Sequence, residues 1–215
     1  MSHAVITGAN RGIGAALAAR LREDGWEVSG TARAEGAQIP LDVADPAQFA
    51  GLARALNGRP VDLLICNAGI YPDKGQRLAD GYPPEMWARV FAVNVTGVFL
   101  TVQTLLPNLR MSQAPKIAII SSQMASHTRA PGGSYIYRAS KAAALNLGRN
   151  LSTDLAPLGI AVGIYHPGWV QSDMGGSEAE ILERESAEGL AARFAALGPD
   201  TTGCFETWDG RAHPY

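Results

Sequence analysis

Short apolar runs alternate along the chain with longer stretches in which apolar and polar residues are mixed. The runs have the length of strands and cover residues 3–6, 27–31, 38–42, 61–65, 116–120, 159–165 and 203–207. In most intervening stretches, apolar residues recur every three or four positions, as on the buried face of a helix. This alternation predicts one α/β domain over residues 1–215, a doubly wound parallel sheet of about seven strands with helices on both faces.

Two parts of the pattern depart from a regular alternation. The second and third apolar runs are joined by about five residues, whereas parallel neighbours normally need a crossover of roughly a dozen. We therefore expect a loop in place of the second helix. Residues 86–109 predict a long helix that is interrupted or bent near 94–97, because Asn94 and Gly97 are poor helix formers.

Three other segments complete the predicted outline of the chain. Residues 71–84 are polar and rich in glycine and proline, which is typical of a loop. Residues 171–188 mix glycine, serine and charge, and we expect a substrate lid inserted over about 171–190. A last helix is predicted over residues 190–197.

Composition and charge exclude several classes of function. With a net charge of −2, the chain has no basic surface to hold a nucleic-acid backbone. We see no uninterrupted apolar run of bilayer length and no signal peptide, so no membrane partner is expected. Cys66 and Cys204 form neither a disulfide framework nor a metal-ligand pattern, and a reducing cytoplasm is the simplest location.

A glycine-rich turn follows the first strand and leads directly into a helix. Glycine lets a backbone approach a ligand closely, and the free amides at a helix start attract phosphate oxygens. The order of strand, turn and helix predicts a site for a dinucleotide pyrophosphate, although a turn without a ligand would have the same pattern. Its residues are Gly8, Asn10, Arg11, Gly12, Ile13 and Gly14.

The end of the second strand indicates which dinucleotide binds. An acidic residue there would accept the ribose hydroxyls of NAD, but this chain has Ala32 and Arg33. Arg33, with Arg11 on the same side, suits a 2′-phosphate, so we predict NADP, with NAD as the second candidate. The alternative is that Arg33 is only a solvated loop cation.

Two further strand ends supply candidate cofactor contacts. The Asp42 carboxylate, next to Val43 after the third strand, is placed to accept from the adenine amino group. After the fourth strand, the small residues Asn67, Ala68 and Gly69 leave room for the cofactor, since ligands bind beyond the carboxyl ends of strands.

Tyr137 and Lys141 are the candidates for proton transfer. Four residues apart on a helix, they lie on the same face, and a nearby ammonium favours the phenolate form of tyrosine. Tyr135 is the rival, but it has Ala139 four residues on. Ser122 lies a short loop upstream, and Ser121 beside it is a less favoured alternative. Taken alone, such a Tyr-x-x-x-Lys pair is most often structural.

These residues together resemble those of the short-chain dehydrogenase/reductase family over essentially the whole chain. The shared features, in order, are Gly8-x-x-x-Gly12-x-Gly14, Asn67-Ala68-Gly69, Asn94, Ser122, Tyr137-x-x-x-Lys141 and Pro167-Gly168. The C-terminal part, with residues 166–176 and Trp208-Asp209-Gly210, is similar to the small sniffer-type carbonyl reductases and C-signal-like proteins.

The resemblance implies a Rossmann fold and an NADP(H)-dependent oxidoreductase that interconverts a carbonyl and an alcohol. It implies that Tyr137 transfers the proton and that Ser122 holds the carbonyl oxygen. Lys141 would lower the Tyr137 pKa and bind the nicotinamide ribose, and Asn94 would anchor a water. Further cofactor contacts are implied for Pro167, Gly168, Val170 and Ser172.

Several alternatives stay open at this stage. A signalling or cofactor-sensing protein that binds NAD(P) with little turnover is the main rival, although such a protein would not need both Tyr137 and Lys141. A nucleotide-sugar epimerase is a weaker one, because only about fifty residues follow Pro167. The substrate is expected to be a small carbonyl or alcohol compound, and both a homo-oligomer and a monomer are compatible with the resemblance.

Overall fold

The fold comes from a computed structural model that describes residues 1–34, 37–128 and 130–215. Seven parallel strands form one sheet in the order β3-β2-β1-β4-β5-β6-β7. Their bounds are β1 His3–Thr7, β2 Glu27–Ala32, β3 Ile39–Pro40, β4 Leu63–Cys66, β5 Lys116–Ile120, β6 Ala161–His166 and β7 Phe205–Thr207. The predicted doubly wound α/β sheet is confirmed.

Helices cover both faces of this sheet. They are α1 Gly12–Glu23, α2 Phe49–Ala55, α3 Pro84–Phe91, α4 Gly97–Leu109, α5 Tyr135–Leu155 and α6 Glu183–Ala196. Successive side chains of a strand point to opposite faces, so each strand contributes to two cores. Val5 packs in the cluster that includes Leu105 of α4, whereas Ile6 packs in the cluster that includes Leu17 of α1 and Phe194 of α6.

The interruption predicted near Asn94 is a single π-helical turn. It spans Ala92–Thr96 and joins α3 to α4 without ending the helical run. The resulting helix, Pro84–Leu109, is long and apolar enough to cross a membrane by length and composition alone. Its side chains Val98, Val102, Leu105 and Leu109 lie in the core against the sheet, which accounts for the apolar composition without a membrane.

Two predicted elements, the third strand and the last helix, differ most from those in the structure. The third strand was expected over residues 38–42 but forms only at Ile39–Pro40, where it pairs with Thr31 and Ala32 of β2. The loop predicted between these strands contains Glu35 and Gly36, which lie outside the described residues. The last helix begins at Glu183 rather than near 190, so the irregular segment after β6 ends at Leu182.

Candidate functional site

Two cavities meet at the carboxyl ends of the central strands. The larger is a cleft of about 420 Å³ that runs over the ends of β1, β4 and β5. The smaller, of about 320 Å³, lies between the loop after β4 and the segment after β6. The Tyr137 side chain lines both. A ligand in the cleft and a second ligand in the smaller cavity would therefore meet at this residue.

The floor of the larger cleft is the glycine turn between β1 and α1. Gly8 and Gly12 have φ of 68° and 59°, in the left-handed region that favours glycine. A Cβ on Gly14 would lie 2.1 Å from the Gly8 carbonyl oxygen, which is too close for any side chain. The turn is thus built for close approach of a ligand to the backbone, and its residues fit the pyrophosphate of a dinucleotide.

Hydrogen bonds between strand ends hold this turn in place. The Asn67 amide nitrogen donates to the carbonyl oxygens of Thr7 and Gly8, at 2.9 and 3.1 Å. The Thr7 hydroxyl accepts from the backbone of Asn67 and Ala68, at 3.0 and 3.1 Å. Asn67 therefore positions the glycine turn as well as lining the cleft.

At the adenosine end of the cleft, Arg33 lies as expected, whereas Arg11 is already paired with a carboxylate. Arg33 is exposed and lines the cleft. It forms no ion pair within the described part of the chain, so its guanidinium is available to a phosphate. Arg11 instead forms an ion pair with Asp173 of the segment after β6. Asp42 also lines the cleft, and one of its carboxylate oxygens accepts from the backbone of Ala44.

The predicted cofactor residues gather in this region. All but two of them line the larger cleft, whereas Gly168 and Val170 line the smaller cavity. Those in the cleft are Gly8, Asn10, Arg11, Gly12, Ile13, Gly14, Arg33, Asp42, Val43, Asn67, Ala68, Gly69, Tyr137, Lys141, Pro167 and Ser172.

Tyr137 lies in the first turn of α5 and is 7% exposed. Its phenol lies near the hydroxyl of Ser122, which lines the smaller cavity and accepts from the Met124 backbone at 3.1 Å. The neighbouring Ser121 hydroxyl donates to the Lys141 carbonyl at 3.0 Å and so serves the helix. The rival Tyr135 is 39% exposed, packs edge-on against Tyr82 and lines neither cavity. The geometry therefore favours Ser122 and Tyr137 over their neighbours.

The pKa of Tyr137 is shifted in the opposite direction to the one expected from Lys141. Burial raises the pKa of the Tyr137 phenol, and the nearby Tyr71 and Asp73 raise it further. Only the interaction with the nearby Ser122 hydroxyl lowers this pKa. The phenol is therefore protonated at neutral pH and is ready to donate a proton.

Lys141 lies on the same helix face, beneath the ring of Tyr137. Its Nζ is 5.7 Å from the ring centroid of Tyr137 and donates to the Ile120 carbonyl oxygen at 2.9 Å. Lys141 is 5% exposed, and burial lowers its pKa to about 8. An ammonium with this pKa loses and regains a proton close to physiological pH, as a proton relay needs.

The lowered pKa of Lys141 predicts a pH-dependent stability. Between about pH 8 and the unfolded value of 10.5, the unfolded chain keeps the Lys141 proton that the folded chain has lost. The free energy of unfolding of the wild type should then rise relative to Lys141→Met, by about 2 kcal/mol from about pH 7 to pH 9.5. Urea unfolding of both proteins across this range measures the difference. If the free energies of unfolding of the two proteins change with pH in parallel, Lys141 has the same pKa in the folded and the unfolded chain, and the prediction is wrong.

Asn94 serves the site through contacts within the protein. Its side-chain oxygen accepts from the backbone of Ile70 at 2.9 Å, and its nitrogen donates to the Ile70 carbonyl and the Ser140 hydroxyl, both at 3.0 Å. The π-helical turn thus fixes the segment after β4 against α5. The predicted role of Asn94 as a water anchor stays a prediction.

Two residues near Tyr137 were missed as parts of the catalytic arrangement. The Tyr71 ring stacks on that of Tyr137, with 4.1 Å between centroids, and its hydroxyl bonds to Ser134. Asp73 is fully buried and accepts from the backbone of Ile136 and Tyr137, at 2.9 and 3.2 Å. The polar composition of this loop did not indicate a buried carboxylate.

Comparison with known proteins shows which family this chain resembles. The sequence profile of the short chain dehydrogenases matches residues 2–182. The C-signal protein of Myxococcus xanthus is 38% identical over 157 residues, which are 73% of this chain and 93% of that protein. The 3-oxoacyl-acyl-carrier-protein reductase FabG of Escherichia coli is 32% identical over 209 residues, which are 90% of this chain and 82% of the reductase.

Solved structures show the same fold along the entire chain. The Sniffer carbonyl reductase of Drosophila melanogaster superposes with a TM-score of 0.93 at 26% identity, covering 100% of both chains. An NADPH-bound carbonyl reductase from chicken fatty liver superposes with a TM-score of 0.90 at 28% identity, covering 100% of this chain and 99% of that one. Together with the matched profile, these likenesses show that the chain belongs to the short-chain dehydrogenase family of oxidoreductases.

Proposed function

We propose that this protein is an NADP(H)-dependent carbonyl reductase. The observation that carries the proposal is the position of Tyr137, a buried and protonated phenol at the junction of the dinucleotide cleft and a second, mostly apolar cavity. Ser122 lies beside the phenol and Lys141 beneath it. The NADPH-bound carbonyl reductase of chicken, with the same fold, supports the same activity here.

The reaction needs a proton donor and a site that holds the substrate carbonyl. A nicotinamide bound in the larger cleft supplies the hydride that adds to the carbonyl carbon. The Ser122 and Tyr137 hydroxyls hold the carbonyl oxygen by hydrogen bonds, and Tyr137 donates its proton to that oxygen to give the alcohol. After this donation Tyr137 is a phenolate. Lys141, with a pKa of about 8, is placed to return a proton to it.

The raised pKa of Tyr137 favours reduction over oxidation. Donation to the developing alkoxide requires a protonated phenol, which burial and the nearby Asp73 maintain at neutral pH. Oxidation of an alcohol would require the phenolate, whose charge is disfavoured in this environment. We therefore expect the reducing direction to be the faster one at neutral pH.

We favour NADP(H) because Arg33 offers a guanidinium with no ion-pair partner among the described residues at the end of β2, where Ala32 replaces the acidic residue that suits NAD. Arg11 would reach a 2′-phosphate only after release from Asp173. A cytoplasmic location, with its reducing cofactor pool, agrees with the free Cys66 and Cys204. Both a monomer and a homo-oligomer agree with this function.

A panel of reactive aldehydes and ketones tests the proposal directly. We expect the wild type to consume NADPH with several of them and to prefer NADPH over NADH by at least about tenfold in kcat/KM, since one charged contact is worth about 1.5–3 kcal/mol. The measurement is the loss of reduced-cofactor absorbance with each cofactor in parallel. Equal rates with NADH would overturn the choice of cofactor, and absence of turnover with every carbonyl would overturn the activity.

The likeness to the C-signal protein supports a second candidate, a signalling protein that binds NADP(H) with little turnover. The two candidates differ in what the same panel shows. A signalling protein would bind NADPH with no carbonyl-dependent oxidation, whereas the reductase would show both.

A further inference from the structure

The smaller cavity beside Tyr137 has mostly neutral walls. Large apolar surfaces come from Tyr71, Met124, Trp169 and Met174, and the hydroxyls of Ser122 and Tyr137 mark the place of the reacting carbonyl. Among the described residues that line this cavity, Lys74 is the one side chain that carries a permanent charge at neutral pH. A cation at a site that otherwise has no permanent charge indicates the charge of the ligand.

Lys74 lies where the loop after β4 meets the segment after β6. Its Nζ is 4.0 Å from the position that a Cβ on Gly176 would occupy. The loop is anchored at the preceding residue, because the Asp73 carboxylate is buried against the start of α5. The backbone that carries Lys74 is therefore fixed, and its exposed side chain reaches the boundary of the cavity.

No carboxylate within the described part of the chain neutralises Lys74. The adjacent Asp73 turns its carboxylate toward the backbone of α5. Asp173, on the facing segment, is paired with Arg11, and Asp80 of the same loop is paired with Arg77. Lys74 thus offers the cavity an ammonium that has no ion-pair partner among the described residues.

Resting on the proposed function, we infer that the substrates are carbonyl compounds that carry a carboxylate, which Lys74 binds while Ser122 and Tyr137 hold the carbonyl oxygen. The Lys74 ammonium attracts an anion to the mouth of the cavity, and the other described residues that line the cavity carry no permanent charge that would compete with it. A carboxylate matches the single charge of Lys74, whereas a phosphate dianion would leave one charge unneutralised in this cavity. The cavity of about 320 Å³ suits a small molecule with both groups.

Matched substrates and variants test this inference. The anionic substrate is para-formylbenzoate and its methyl ester is the neutral partner, and each is compared between the wild type and the variant so that their different intrinsic reactivities cancel. Lys74→Met is expected to lower kcat/KM for para-formylbenzoate about tenfold and to leave the ester nearly unchanged, because one charged contact is lost. The control is Arg77→Met, which removes a cation of the same loop that is paired with Asp80 and does not line the cavity.

An equal loss for both substrates in Lys74→Met, or the same loss of anion preference in Arg77→Met, would overturn the inference. If the wild type reduces neither aldehyde, the carbonyl panel decides the proposed function separately, and binding decides the role of Lys74. Calorimetry with benzoate and benzamide is then expected to show tighter binding of benzoate that Lys74→Met abolishes. Equal binding of the two ligands by the wild type would overturn the inference without reference to turnover.

Discussion

Replacement of Tyr137 by phenylalanine is expected to lower kcat/KM for aldehyde reduction by about 10²- to 10⁴-fold. The substitution removes the hydroxyl that donates the proton and that lies near Ser122, but it keeps the ring. Because the Tyr71 ring stacks on this ring at 4.1 Å, the packing of α5 against the loop after β4 should be retained. The measurement is steady-state NADPH oxidation, combined with NADPH titration by fluorescence.

Tyr135→Phe is the matched control for this variant. Tyr135 lies two residues earlier on the same helix, is 39% exposed and lines neither cavity, so loss of its hydroxyl should leave kcat/KM close to the wild type. NADPH affinity should stay near the wild-type value in both variants, since the glycine turn and Asn67 are untouched. A Tyr137→Phe enzyme with wild-type turnover would remove the phenol from the mechanism and favour a different proton donor.

The parts of the fold that depend on local patterns were predictable from the sequence. The glycine turn and the strands follow from short stretches in which neighbouring residues determine the backbone. Asn94 and Gly97 likewise predicted the interruption that the π-helical turn Ala92–Thr96 forms. In each case the signal and the structure lie within the same few residues.

Features that depend on distant contacts were not predictable in this way. Asp73 caps a helix that begins more than sixty residues later, and no local pattern connects it with Ile136. The direction of the Tyr137 pKa shift also depends on burial and on Asp73, neither of which the spacing to Lys141 reveals. The early start of α6 at Glu183 has a similar origin, because Ser186 bonds to the Pro167 carbonyl and Ala187 is buried against the sheet.

Replacement of Asp73 is the second change from which we expect a large effect on stability and activity. Asp73 both caps α5 and raises the pKa of Tyr137. Ser134, at the N-cap position of α5, has φ of 49° and makes no side-chain cap. The buried carboxylate of Asp73 takes its place by accepting from the Ile136 and Tyr137 amides. Its second oxygen, Oδ1, is buried without a hydrogen-bond partner in the described structure. The negative charge of Asp73 raises the pKa of the nearby Tyr137 phenol.

Asp73→Ala is expected to lower the free energy of unfolding by about 2 kcal/mol, because two buried amides lose their acceptor. The first turn of α5 carries Tyr137, so kcat should also fall by about 10- to 100-fold as the phenol shifts from its productive position. Urea unfolding and steady-state kinetics measure the two effects. Asp45→Ala is the control, since Asp45 caps a short helix at Pro46–Gln48 and lines neither cavity.

Asp73→Asn separates the charge of Asp73 from its hydrogen bonds. The amide oxygen of asparagine can still accept from the Ile136 and Tyr137 amides, so most of the stability lost in Asp73→Ala should be recovered. Removal of the negative charge should lower the pKa of Tyr137, since that charge raises it in the wild type. The phenol of Tyr137 should therefore ionise at lower pH in Asp73→Asn than in the wild type, as followed by the ultraviolet absorbance of tyrosinate with Tyr137→Phe as the reference, whereas a residue that acts only as a cap would leave this titration unchanged.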